Sequence, residues 1–165
     1  MIVVLMGVSG SGKTTIGAEL ARELGWPFLD ADTLHTPERI DDMRRGIALT
    51  DETRAPWLAA VRERMLDADR RGGHLVVACS ALKAAYRETL DAGLPVTWVY
   101  LKGPAPLIEA RLEQRDDHFM KAGMLASQLE SLEEPEDAIV ADVSRPVPAI
   151  VSDILASLGK GAGRA

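Results

Sequence analysis

Apolar and polar positions alternate along the chain in two rhythms. Ile2–Met6 is a short unbroken apolar run ended by Gly7, the pattern of a strand buried on both faces. Residues 14–24 then place Ile16, Leu20 and Leu24 four apart, with Gly25 behind them. That spacing predicts an amphipathic helix with a glycine stop. The alternation repeats downstream. "PFLD" (27–30), "LVVAC" (75–79), "VTWVYL" (96–101) and "AIVAD" (138–142) read as four further strands. Helices are expected over 33–45, with Pro37 in the first turn, and over 52–71, 81–91, 104–115 and 146–158. The tail from Gly159 is expected to fray.

Short apolar strands separated by helices call for an α/β fold, a parallel sheet covered on both faces. The length of 165 residues suits one domain spanning 1–165. Residues 116–135 are polar and irregular around a short helix, an insertion of the kind that serves as a lid. Apolar residues at 47% and charged residues at 27% fit an ordinary globular protein. The net charge of −6 argues against nucleic acid or an anionic membrane as partner, since both demand clustered Lys and Arg. Cys79 is the single cysteine, which fits a reducing cytoplasm. No apolar run approaches the ~18 residues that span a bilayer, and the N-terminal run is too short for a signal peptide.

The stretch between the first strand and first helix carries the chemistry. Gly7-Val8-Ser9-Gly10-Ser11-Gly12-Lys13-Thr14, followed by Thr15, fits G-x-x-x-x-G-K-[ST] in its required strand–loop–helix setting. Glycines let the backbone wrap an oxyanion, and N–H groups at the helix start point at a phosphate. Lys13 can reach the β- and γ-phosphates of a nucleoside triphosphate, and the Thr14 hydroxyl is placed to ligate Mg²⁺.

The acceptor must be inferred from elsewhere. The third strand ends in Cys79-Ser80 without an acid, whereas the second ends in Asp30-Ala31-Asp32. In an extended segment those two carboxylates point to one side. One can serve the metal shell while the other takes a proton from an attacking hydroxyl; helix capping is the competing role, as Asp32 could provide. No N-K-x-D guanine signature occurs. Residues 142–146 are a candidate adenine contact. Arg111 and Arg115 lie four apart entering the suspected lid, suited to neutralising charge on the nucleotide; His118 and Lys121 lie in the lid itself. Arg54, beside Pro56-Trp57, suits a rigid carboxylate pocket. Ser80, Lys83, Tyr86 and Arg87 follow the third strand, at the carboxyl end where open α/β sheets bind ligands. His35 lies near the Asp pair and is a candidate substrate contact, whereas His74 reads as structural.

The segments "VLMGVSGSGKTT", "FLDADTLH", "LTDETRAPWL", "ACSALKAAYR", "VYLKG", "RLEQRDDHFM" and "QLESLEEP", in this order, resemble the small P-loop gluconokinases over nearly the whole chain. That family phosphorylates D-gluconate at O6 with ATP and is related to shikimate and nucleoside-monophosphate kinases. The resemblance implies the three-layer P-loop NTPase fold, a five-stranded parallel sheet of order 2-3-1-4-5, a lid and a homodimer. It implies that Gly7–Thr14 cradle ATP and Mg²⁺, that Asp30 serves the metal's water shell, and that Asp32 meets the substrate hydroxyl. It also implies that Arg54 and the Ser80–Arg87 segment hold the sugar acid, while Arg115 clamps the nucleotide. The chain departs from the family pattern H-P-x-x-N-x-x-K-M at Arg39 and Asp42, and from G-H-F at Asp117. Three functions stand at this point: a gluconate kinase, a kinase of shikimate or another small acid, and a regulatory nucleotide-binding ATPase without a small acceptor.

Overall fold

The computed structural model describes residues 1–114 and 124–162. Five strands, β1 (Ile2–Met6), β2 (Phe28–Asp30), β3 (Leu75–Ala78), β4 (Val96–Lys102) and β5 (Ile139–Asp142), form one sheet of order β2-β3-β1-β4-β5. Every pairing is parallel, with Ile2 opposite Leu75 on one side and Val96 on the other. The expected sheet and strand order are therefore present.

β1 is central, and its period of two divides the core. Val3 and Leu5 face one apolar layer with Ile16, Leu20 and Ile154 of the helices α1 (Lys13–Leu24) and α7 (Val147–Ala162). Ile2, Val4 and Met6 face the other, with Trp57, Val61, Met65 and Leu90 of α3 (Asp51–Arg70) and α4 (Ala84–Asp91). Both faces are covered, so no position of β1 needs to be polar, which explains its unbroken apolar run. A third, small cluster of Val8, Leu82, Ile108, Leu112 and Leu125 packs the loops after β1 and β3 against α5 (Ala105–Glu113) and α6 (Leu125–Ser131).

Local structure departs from expectation in three places. The helix expected over 33–45 is a 3-10 turn, Ala31–Leu34, followed by α2 (Pro37–Arg44). Thr36 caps α2 by accepting the Arg39 N–H, and Pro37 occupies the first turn, where no N–H is required. The helix expected from Ala81 begins at Ala84, because Ala81 is left-handed at φ 41. The tail expected to fray from Gly159 continues α7 through Ala162 across Gly159 and Gly161; each glycine costs a helix only about 1 kcal/mol. Among the described residues no helix is long and apolar enough to cross a membrane.

Candidate active site

β1 delivers the chain to the sheet's carboxyl edge at Gly7, and α1 begins six residues later. The turn requires glycine at two points. Gly10 has φ 82, and a Cβ there would sit 2.8 Å from Leu112 Cγ. Gly7 has φ 150, and a Cβ would meet the Leu101 carbonyl oxygen at 2.9 Å. Gly12 precedes α1 without a side-chain cap, and the first turn of α1 holds no acid, so the positive helix end faces outward for an anion. Lys13 Nζ donates to the carbonyls of Gly7 at 3.0 Å and Val8 at 2.9 Å, placing its charge across the loop.

A cleft of about 360 Å³ runs from this loop along the sheet edge. Its phosphate end is lined by Ser9, Gly10, Gly12, Lys13 and Thr14. Thr14 Oγ1 donates to Asp30 Oδ2 at 2.7 Å, and Asp30 Oδ1 accepts the Asp32 N–H at 3.0 Å. The two acids are thus neighbours through a 3-10 turn rather than through an extended strand. Asp30, not Asp32, is the cap. A hydroxyl beside a carboxylate is the hard oxygen donor set that suits Mg²⁺, an ion that keeps several waters. No group of three His, Cys, Asp or Glu gathers among the described residues.

The far end of the cleft is lined by Asp32, His35, Arg54, Ser80 and Lys83. Burial pushes the Asp32 pKa up, opposed by Lys13, reinforced by Asp30 and opposed again by Arg54. Its side chain remains 38% accessible, which tempers the rise. His35 stacks on Trp57 at 4.5 Å and 8°, and its Nε2 lies 3.9 Å from Asp32 Oδ1. Burial, then the Arg54 charge, lowers the His35 pKa to about 4, so the imidazole is neutral near pH 7. Trp57 Nε1 donates to the Ala31 carbonyl at 2.7 Å, fixing the turn that carries Asp32. Arg54 lies 5.1 Å from the centroid of the Tyr86 ring, and its buried Nε has no hydrogen-bond partner.

Several expected site residues stand elsewhere. Gly7, Val8, Ser11 and Thr15 shape the loop and helix start without lining the cleft. Arg87 is a correction: it is buried, donates to the carbonyls of Ala81 and Leu82, and does not line the cleft. Its proximity to Ser80 along the chain suggested a ligand contact, but an α-helical turn points it under the loop. Arg111 donates to the Val143 carbonyl at 2.7 Å and anchors the loop after β5. Arg115, Asp117, His118 and Lys121 lie outside the described residues. His74 stacks on Trp26 at 4.4 Å, away from the cleft. Asp42 accepts from Arg39 at 3.0 Å and Arg45 at 2.7 Å; neither Asp42 nor Arg39 lines the cleft, whose contribution from α2 is Met43. The negative charge that replaces the family's lysine is therefore neutralised outside the site.

Sequence reasoning missed three contributors. Asp51 accepts from the Tyr86 hydroxyl and from Lys83 Nζ at 3.1 Å, and these bonds, the tyrosine's first, lower its own pKa. Gln128 of α6 is buried and accepts the Ser9 N–H at 2.7 Å. Glu133 accepts the Ala84 N–H at 2.6 Å. The last two sit in "QLESLEEP", a segment without a chemistry of its own.

Comparison with known proteins gives a consistent result. A family profile described as an AAA domain matches residues 2–135. A probable gluconokinase of Xenopus tropicalis is 42% identical, the match covering 93% of this chain and 91% of that protein. The thermoresistant gluconokinase of Escherichia coli (strain K12) is 41% identical over 97% of this chain and 94% of its own. Among solved structures, a gluconokinase from Sinorhizobium meliloti 1021 superposes with a TM-score of 0.87 at 43% identity, covering 98% of this chain and 93% of that one. An unliganded sugar kinase from Janibacter sp. HTCC2649 superposes at 0.89 with 46% identity, covering 96% and 94%.

Proposed function

The chain belongs to the gluconokinase family, and on that premise we propose how its cleft phosphorylates D-gluconate at O6 with ATP. The observation that carries the reading is the continuity of the cleft: phosphate loop, Asp32 and Arg54 line one space. The loop from Gly7 to Thr15 and the open start of α1 hold the phosphates. Thr14 and Asp30 hold Mg²⁺, which when bound neutralises charge on the phosphates. Arg54, which lines the cleft, pairs its guanidinium with the acceptor's carboxylate, and Ser80 and Lys83 contact the hydroxyl chain. Asp32 accepts the O6 proton as the O6–phosphorus bond forms and the bond from phosphorus to the β-phosphate oxygen breaks, releasing ADP. A raised pKa suits that role, because a stronger base drives the transfer further. His35, neutral and stacked, walls the proton-accepting carboxylate without competing for the proton. Lys13 follows the transferring charge, and catalysis is positioning plus charge neutralisation.

On the nucleotide side, Arg111 holds the 143 loop beneath the base, and Arg115 completes the clamp. The whole of 1–165 works as one kinase domain with residues 116–135 as its lid. The reading extends to a homodimer in the cytoplasm, supported by the family resemblance and by the lone, buried Cys79.

The test is coupled ADP release with Mg-ATP against D-gluconate, shikimate, other aldonates and no acceptor. Turnover with gluconate alone is expected. Turnover with a different acid would replace the named acceptor, and turnover without any acceptor would replace the kinase reading by an ATPase.

A further inference from the structure

Three cleft-lining residues, Ser80, Leu82 and Lys83, belong to the segment between β3 and α4. Its backbone is in a conformation that its own sequence does not favour. Ala81 is fully buried and left-handed at φ 41, a region that costs an L residue about 1–2 kcal/mol. α4 then starts with Lys83 at its cap position and no side-chain cap of its own. Lys83 Nζ is held at its tip by Asp51 and lies over the Tyr86 ring, but no side chain within the segment fixes the backbone that carries it and Ser80.

Two side chains from outside the segment supply the missing bonds. Arg87, only 8% exposed, donates from Nη1 to the Ala81 carbonyl at 3.1 Å and the Leu82 carbonyl at 3.2 Å. Glu133, beyond the end of α6, grips the same segment twice. Its Oε2 accepts the Ala84 N–H at 2.6 Å, and its own N–H donates to the Leu82 carbonyl at 2.9 Å. The carboxylate thereby caps α4 from another part of the chain, where the helix dipole favours a negative charge. At the other end, the Gly7 N–H donates to the Ser80 carbonyl at 3.3 Å, so the clamped segment abuts the phosphate loop.

We propose that Glu133 and Arg87 are positioning residues of the acceptor subsite, holding the Ser80–Ala84 backbone so that Ser80 and Lys83 meet the sugar acid. The assignment rests on the gluconate kinase reading of the cleft. Neither residue touches substrate; each acts through the carbonyls and the N–H that it binds. Glu133 is exposed, so its carboxylate adds little to the core. What it fixes is the residue next to Lys83.

The experiment compares Glu133→Ala with Glu133→Gln in the full-length chain, by saturation kinetics in each substrate and by melting temperature. Wild-type turnover with gluconate tests the underlying reading first; if another acid is the acceptor, the same variants are run with it. Glu133→Ala should raise the acceptor KM roughly tenfold, the worth of one charge-assisted hydrogen bond, with the ATP KM within about twofold. Glu133→Gln keeps an oxygen for the Ala84 N–H and should restore most of the acceptor KM. Arg87→Lys against Arg87→Met gives the same contrast from the buried side; if Arg87→Met does not fold, the Glu133 pair decides alone. A fall in melting temperature with the acceptor KM unchanged would make the clamp merely structural and overturn the proposal. So would an equal rise in both KM values, or a glutamine variant no better than alanine.

Discussion

The two ends of the cleft are built on different principles. The phosphate end is contiguous: Ser9, Gly10, Gly12, Lys13 and Thr14 come from one turn, and most of what they offer is backbone. The acceptor end is assembled. Asp32 and His35 follow β2, Arg54 comes from α3, and Ser80 and Lys83 follow β3. A backbone site tolerates few changes of conformation and leaves a strict spacing in the sequence. An assembled site is held by side-chain contacts between distant segments and can be retuned one residue at a time. The phosphate end should therefore fail all at once, and the acceptor end by degrees.

Lys13→Ala is the most severe test of that contrast. The ammonium spans the loop through two carbonyls, and in the proposed mechanism its charge follows the transferring phosphoryl group. Turnover should fall by about 10⁴-fold, while circular dichroism and melting temperature stay near wild type. Near-normal turnover would remove the loop from the chemistry. Asp32→Asn comes next, between the two ends. It should cost about 10³-fold in kcat with the ATP KM largely kept, since the proton then has no acceptor. A variant that only melts earlier would return Asp32 to a structural role in the turn that Asp30 caps.

The same contrast explains what could be read from the sequence. The loop and the five strands were legible because each depends on local period or on a motif with strict spacing, whereas the strand order came only with the family resemblance. The Asp30–Asp32 pair was legible as a pair, but its geometry was not. A 3-10 turn replaces the extended run, stapled by Trp57 Nε1 on the Ala31 carbonyl, and no local pattern encodes a contact from α3. Arg87 looked like a ligand contact because a cation near Ser80 has the right chemistry. Its burial under Ala81 follows from the late start of α4, which depends on a left-handed alanine that propensity disfavours. Gln128 and Glu133 were invisible for the converse reason: their partners, the Ser9 and Ala84 N–H groups, are backbone atoms far away in the chain.

Arg54→Ala sharpens the comparison from the acceptor side. The guanidinium lies over Tyr86 and lines the cleft, and in the proposed reading the substrate's carboxylate pairs with it. Removal should raise the gluconate KM by about 100-fold and change the ATP KM less than threefold, in line with loss of a bidentate ion pair. Parallel changes in both KM values would place Arg54 outside the acceptor subsite.

The smallest expected effect concerns His35, where the assembled end meets the stability of the fold. The folded-state pKa is about 4, held down first by burial and then by the Arg54 charge, against an ordinary value of 6.5. Above pH 6.5 the imidazole is neutral in both folded and unfolded chains, and its full contribution is present. As pH falls from 6.5 toward 4, the unfolded chain takes up the proton and the folded one does not, so stability is lost across that window. Below about 4 both states are protonated and the loss stops. The side chain is 4% exposed, and the linked change is on the order of 2 kcal/mol. Urea unfolding at pH 7.5 and 4.5, run on wild type and His35→Gln, isolates it, because the titration of other groups is common to both proteins. The variant should start less stable at pH 7.5, having lost the stack on Trp57, and should lose about 2 kcal/mol less on acidification. Parallel losses in the two proteins would mean that His35 already titrates normally in the folded chain. The wall beside Asp32 would then stay neutral only above about pH 6.5, and below it the acceptor end would carry an extra positive charge beside the carboxylate proposed to accept the proton.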